Sequence, residues 1–332
     1  MKCPALLLVA GCVLSTALIG CGYVGTEAEN TAAEIRIAPV WNVGEEVDYL
    51  ITRRIAVDEE YGQFEMESRG DVVIRVEQAD DAGCRLRWRV GEFTFRLKQG
   101  GIELSKYERA SKPGIDAMLM GLERLYSNHD IRVRLNRQGE VVEILDSDKL
   151  LSLVAARLLM AMPYQADVAG RPPFKEIVTE MLERNPLMLL SASCPEASTL
   201  FAYADGRYLP GRPEVRKGEI AVERGEGSPF LSFKCENRFE LQSGTNVSTM
   251  AVIECETIVE HDSATMATDD PPELTGKNLQ EFQEALGRLS CKSNYEVNLR
   301  HGWPSKYEQT KVVPTSSGRM KTDTTTVTRN SS

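Results

Sequence analysis

The chain has 332 residues, with 39 lysines and arginines against 49 aspartates and glutamates, so its formal net charge is −10. That balance excludes the basic stripe that holds nucleic acid, and it disfavours direct electrostatic attachment to an anionic bilayer. With 42% hydrophobic residues, the chain can still bury a sizeable core.

Met1-Lys2 supplies a small positive segment, and Ala5 to Ile19 is almost wholly apolar, ending at Gly20. A spanning helix needs about 20 apolar residues, so this shorter run reads as a signal peptide over 1–20. Residues Leu18-Ile19-Gly20-Cys21 resemble the lipobox of bacterial lipoproteins. That resemblance implies a diacylglycerol on the thiol of Cys21, cleavage before it, and an added amide-linked chain, palmitate, on the new N-terminus. Two or more acyl chains make a firm membrane anchor. A rival at Val9-Ala10-Gly11-Cys12 would leave too short an apolar run. In that family an Asp after the cysteine retains the protein at the inner membrane. Gly22 stands there instead, which implies the outer membrane where a cell has one.

Residues 21–40 are the lipidated Cys21 and a polar tether, and the fold is expected to start near Trp41. Val47, Tyr49, Ile51, Ile55 and Val57 alternate with other residues as a first half-buried strand. Phe64, Met66, Val72, Ile74 and Val76 form a second, and Asp80-Asp81-Ala82-Gly83 turns the chain. Leu86, Trp88 and Val90 then alternate with Arg85, Arg87 and Arg89, which read as a solvated face. The apolar parity flips to Phe93, Phe95 and Leu97, and a β-bulge near Gly91 keeps the core face inward.

Helical spacing follows at Ile115, Met118, Leu119, Leu122, Leu125 and Tyr126. A hairpin with its turn at Asn136 to Gly139 comes next, then an apolar helix from Leu150 to Met162 capped by Ser147, and a third helix from Phe174 to Leu182. After the Pro/Gly-rich stretch from Asp205 to Gly218, strands are expected near 219–224, 230–241, 248–259, 294–299 and 306–313. The threonine-rich end could add an edge strand.

Arg134 to Ile144 (RLNRQGEVVEI) and Tyr208 to Ile220 (YLPGRPEVRKGEI) resemble uncharacterised bacterial lipoprotein domains, a likeness that implies no mechanism. The pattern as a whole predicts an α+β fold: about ten antiparallel strands with three or four helices packed on them. It is similar in outline to the half-barrel of periplasmic lipoprotein carriers. The domain at 41–332 is either one unit or two lobes, 41–200 and 201–332.

No zinc-helix, nucleophile-elbow, phosphate-loop or calcium-loop motif is present. His129, His261 and His301 have no neighbours at ligand spacing, so no metal and no cofactor are expected. The expected function is non-enzymatic: an envelope lipoprotein that binds a lipid or other hydrophobic ligand, or an envelope protein. A purely structural or adaptor role is the competing reading, and a hydrolase a distant third. Met118, Met160 and Met181 are the candidate lining for an apolar ligand, because methionine fits irregular apolar shapes.

Five cysteines fall in the folded part: Cys84, Cys194, Cys235, Cys255 and Cys291. Taking Gly244-Thr245-Asn246 as a hairpin loop sets Cys235 directly opposite Cys255 on the buried face. Opposed antiparallel residues have Cα atoms about 4.5–5.5 Å apart, within disulfide range, so a Cys235–Cys255 bridge is predicted.

Overall fold

The computed structural model describes residues 19–22, 34–58, 62–104, 120, 123, 127–153, 190, 194–223, 230–242, 249–260, 265–266, 287, 289–314 and 320–330. The strands in chain order begin with β1 (Ile19–Gly22), β2 (Ile35–Ile37), β3 (Glu46–Val57), β4 (Phe64–Asp80), β5 (Gly83–Gln99), β6 (Ile102–Glu103), β7 (His129–Asn136) and β8 (Val141–Leu145). They continue with β9 (Gly206–Tyr208), β10 (Glu214–Glu223), β11 (Phe230–Leu241), β12 (Met250–Val259), β13 (Thr265–Met266), β14 (Ser290–Asn298), β15 (Pro304–Pro314) and β16 (Met320–Arg329).

Among the described residues fourteen of these strands form one antiparallel sheet, in the order β1-β10-β11-β12-β14-β15-β16-β3-β4-β5-β7-β8, with β13 beside β11 and β6 beside β5. The join of β16 to β3 ties the C-terminal strands to the N-terminal ones. Strands before and after residue 200 therefore share one sheet and one hydrophobic core cluster.

The period-2 patterns fold as their chemistry dictates. On β4 the even residues from Phe64 to Val76 are buried and most of the odd ones face solvent. Asp80 makes the turn, its Oδ1 accepting from the backbone N–H of Ala82 (2.8 Å) and of Gly83 (3.1 Å). On β5 the register runs from Val90 opposite Val72 to Phe93 opposite Gly70, so Gly91-Glu92 bulges against Asp71. The bulge lets Val90 and Phe93 face the same core despite their opposite parity.

The expected layer of three or four helices is corrected. Among the described residues the complete helix is a short 3-10 turn, Pro195–Ser198, and the chain also turns helical at 147–153. The helical spacings at 115–126 and 174–182, and the rest of the 150–162 run, fall largely outside the described residues. The sheet is also larger than about ten strands. What packs on its buried face here is a loop, Cys194 to Tyr208, whose Leu200, Phe201, Tyr203 and Tyr208 are fully buried. Bulky aromatic side chains on irregular backbone fill the space over this part of the sheet.

That loop is held by hydrogen bonds to its backbone, as a buried loop must be. Tyr295 donates to the Thr199 carbonyl (3.1 Å), and Arg216 donates to the carbonyls of Ala202 (2.6 Å) and Ala204 (3.0 Å). Tyr203 donates to Gly302 (2.6 Å), and Trp41, Phe201 and Trp303 meet edge-on with centroids 5.1–5.4 Å apart. Gly139 has φ +75°, and a Cβ there would run into the Phe201 carbonyl. The β7–β8 turn therefore depends on glycine both for conformation and for this close approach.

Part of the segment 21–40, expected to be a tether, belongs to the fold. Ile35–Ile37 pairs with β9, and Ile37 already belongs to the core.

Candidate functional site

Because side chains alternate across a strand, aligned registers carry one buried row from strand to strand. One row on the buried face reads Asn237, Thr257, Cys291, Lys311, Asp323, Ile55. The next, two residues along each strand, reads Cys255, Ser293, Gln309, Thr325, Arg53, Ser68. Two adjacent rows thus make a polar stripe across the middle of the core face. The row beyond it reverts to apolar and aromatic residues: Ile253, Tyr295, Tyr307, Val327, Ile51.

The stripe is organised by one ion pair. Arg53 meets Asp323 through two bonds, Nε to Oδ1 at 3.0 Å and Nη2 to Oδ2 at 2.5 Å, with both side chains 7% exposed. Burial pushes the Asp323 carboxyl up, but the charge and hydrogen bonding of Arg53, with Lys321 and Lys311 nearby, hold it below the ordinary carboxylate range. Thr257 donates to the Asn237 side-chain oxygen (2.7 Å), and Gln309 donates to Ser293 (3.1 Å).

Glu196, on the 3-10 turn above the sheet, is buried beside this pair. Burial raises its carboxyl, the Arg53 charge partly offsets that, and Asp323 adds to the rise. The Cys194 thiol lies 3.7 Å from Glu196 Oε2, and burial is the first cause lifting its pKa well above the usual thiol value. Burial likewise raises Cys291, against the charge of Lys311. Neither thiol has the lowered pKa of a nucleophile or redox cysteine. The arrangement holds paired charge in a dry interior.

The other candidate residues are placed as follows. Cys21 lies in β1, opposite Gly218 of β10. Met118, Met160 and Met181 lie outside the described residues. Met120, from the same methionine-rich segment, is 51% exposed.

Cys235 and Cys255 are both buried, but the predicted bridge is corrected: Cys235 pairs with Val259 and Cys255 with Phe239, and no disulfide joins them. The register is four residues from the expected one, about 13 Å along a strand. It matches Leu241 with Ile253 and Asn237 with Thr257, apolar with apolar and polar with polar, where the three-residue loop would have set Leu241 against Thr249. Cys84 is buried too, and desolvation pushes its thiol up to about 12.

His301 stays in its turn, its Nδ1 accepting from the Trp303 N–H (3.1 Å). Burial and the neighbouring Arg329 lower its pKa. His129 helps line a cleft of about 350 Å³ with Ile131, Arg132, Asp146 and Leu150. The charges there are spent on pairs, Arg132 with Asp146 (3.2 Å) and with Glu77 (3.4 Å). The arginine face of β5 is likewise tied up in ion pairs, Arg87 with Asp130 and Arg89 with Glu46.

Among the described residues no three His, Cys, Asp or Glu side chains gather as a metal site, and no helix is long and apolar enough to cross a membrane.

Sequence reasoning missed Arg53, Lys311, Lys321, Asp323 and Glu196. The signal was present for Arg53, which sits at the core parity between Ile51 and Ile55. A charged residue at an inward position of a strand is informative in a way that an outward one is not.

No family model and no curated protein matches the chain. Among solved structures it is similar to lipovitellin, described for its lipid–protein interactions, at 9% identity and a TM-score of 0.40. The match covers 88% of this chain and 25% of that one, so the chain spans about a quarter of lipovitellin's length. A likeness of this degree carries no argument about ligands.

Proposed function

We propose that this protein is a lipid-anchored envelope protein, acylated at Cys21, that holds an apolar ligand against the buried face of its sheet without catalysing a reaction. The anchor reading rests on Leu18-Ile19-Gly20-Cys21 and the apolar run before it, and Gly22 in place of Asp favours the outer membrane. The observation that carries the ligand reading is the lining. One continuous face, from β11 to β7, is apolar or aromatic outside the polar stripe, while the other face is spent on solvent and ion pairs. Where the loop Cys194 to Tyr208 does not cover it, such a face accepts an acyl chain by area and shape rather than by hydrogen bonds.

The anchor is tested by acyl labelling of the full chain: Cys21→Ala should abolish label and membrane retention, whereas Cys12→Ala should leave both. The ligand is tested by native mass spectrometry of the full-length protein exchanged from detergent into amphipol. Mass beyond the covalent acyl groups, displaced by a fluorescent fatty acid, is the expected result. A clean mass and no displacement would replace ligand binding with a structural or adaptor role.

A further inference from the structure

The turn between β14 and β15, residues 299–303, clasps two segments that come from far along the chain. The His301 carbonyl accepts from the Val40 N–H (2.8 Å), and Trp303 Nε1 donates to the Val40 carbonyl (3.1 Å). The Gly302 carbonyl accepts from Tyr203 of the buried loop (2.6 Å), and Gly302 lies so close to Ala38 that a Cβ there would strike the Ala38 carbonyl. Trp41, Phe201 and Trp303 pack edge-on over the join. The turn thus ties 38–41 and 201–203 to the sheet.

At its centre is an imidazole with a donor on each side. Nδ1 of His301 accepts from the Trp303 N–H (3.1 Å), and Nε2 lies 2.9 Å from Nη1 of Arg329 at the end of β16. Neither a guanidinium nor a backbone N–H can accept a hydrogen bond. A neutral imidazole carries one proton and so leaves one nitrogen to accept. A second proton sets N–H against N–H at both nitrogens and a cation beside a cation. The charged groups acting on the ring are Arg329 and, with the smaller effect, Glu45 just before β3. Tyr49 of β3, which donates to the Pro304 carbonyl (2.9 Å), and Tyr203 of the loop are kept neutral by burial.

We propose that His301 is an acid-released latch, whose protonation frees the turn 299–303 and with it the segment 38–41 and the loop at Tyr203. The latch needs neither a lipid on Cys21 nor a bound ligand. Burial first, then Arg329, hold the ring's pKa below its ordinary 6.5. The closed turn is therefore favoured in full above 6.5, and that advantage is lost as pH falls through the lower folded value. Glu196 acts with the opposite sign, gaining on acidification, and Asp323 titrates below the ordinary 3.8.

The test is hydrogen exchange of the full-length protein in detergent micelles at pH 7.5 and 5.5, corrected for the intrinsic rate and read by mass spectrometry in peptides over 38–42 and 299–304. Protection there should fall about threefold or more on acidification, while the β4–β5 hairpin keeps its own. His301→Asn places an oxygen near the position of Nδ1 to accept the Trp303 N–H and cannot be protonated, so its clasp should stay protected at both pH values. Arg329→Gln replaces the opposing cation with a side chain that can accept from an Nε2–H, and should shrink the loss seen in wild type. Equal wild-type protection at the two pH values, a loss shared by the β4–β5 hairpin, or a loss undiminished in His301→Asn would overturn the latch. Should His301→Asn fail to fold, Arg329→Gln decides: a loss as large as that of wild type overturns it.

Discussion

Arg53 and Arg54 are neighbours in β3, and each meets a carboxylate, yet the pleat sends them to opposite faces. Arg54 pairs with Glu65 at 2.9 Å with its side chain 56% exposed, whereas Arg53 and Asp323 are each 7% exposed. Water already solvates the outer pair, so its formation exchanges one good environment for another. The inner pair has given up water on both sides, and each partner is now the main compensation for the other's burial. The same chemistry one residue apart therefore has a different consequence for the fold.

The largest expected effect comes from breaking the inner pair on one side. Asp323→Asn leaves the Arg53 guanidinium buried without its anion and should lower stability by about 3–5 kcal/mol in urea unfolding. Replacing both partners, Arg53→Met with Asp323→Leu, should recover most of that loss, because two apolar side chains remove the desolvation cost along with the attraction. A single substitution costing no more than a surface one would mean that the inner pair is not dry, and the contrast with Arg54 would fail.

Acid should expose the same contrast through linkage. Asp323 is held below its ordinary value, so its contribution is present above the unfolded carboxylate range and is lost as pH falls through the lower folded value. Glu196 is raised, so its contribution is full below the ordinary value of 4.5 and is lost as pH rises through the higher folded value. Glu196→Gln removes only the second effect. The variant should gain stability over wild type at neutral pH and lose that advantage toward pH 4, read from urea midpoints across pH. An advantage that grows on acidification would reverse the assigned sign.

The outer face was the more legible of the two. Alternation with charged residues places Glu65, Arg75 and Arg87 outward without any knowledge of the neighbouring strands, and the Gly91 bulge follows from a parity flip within one segment. The inner stripe is built from β3, β14, β15 and β16, whose contacts span up to 270 residues of chain. The threonine-rich β16 reads as an edge strand, because Lys321, Asp323 and Thr325 do not look like core. It is central, paired with β15 on one side and β3 on the other. The Cys235–Cys255 register failed for a related reason: a Gly/Asn turn signal was given more weight than the pairing of Asn237 with Thr257, which the sequence alone does not advertise. Alternation reveals which face a residue takes, and only the assembled sheet reveals which residues share it.

The smallest expected effect is the most demanding control. Arg54→Ala removes the outer pair, the side chain that partly covers Glu65, and one of several like charges on that surface. Two of these changes oppose each other. The lost attraction is worth roughly 0–1 kcal/mol at an exposed site, and relief from neighbouring arginines such as Arg69 and Arg96 returns a part of it. Both terms are screened by salt within about 10 Å at 0.1 M, so raising the salt should shrink the effect further. Urea unfolding of Arg54→Ala should therefore stay within about 1 kcal/mol of wild type at low salt and become indistinguishable from it at high salt, while the Asp323→Asn deficit persists. If both deficits instead vanish together as salt rises, ions reach Arg53 as readily as Arg54, and the two faces of β3 do not differ in the way their burial implies.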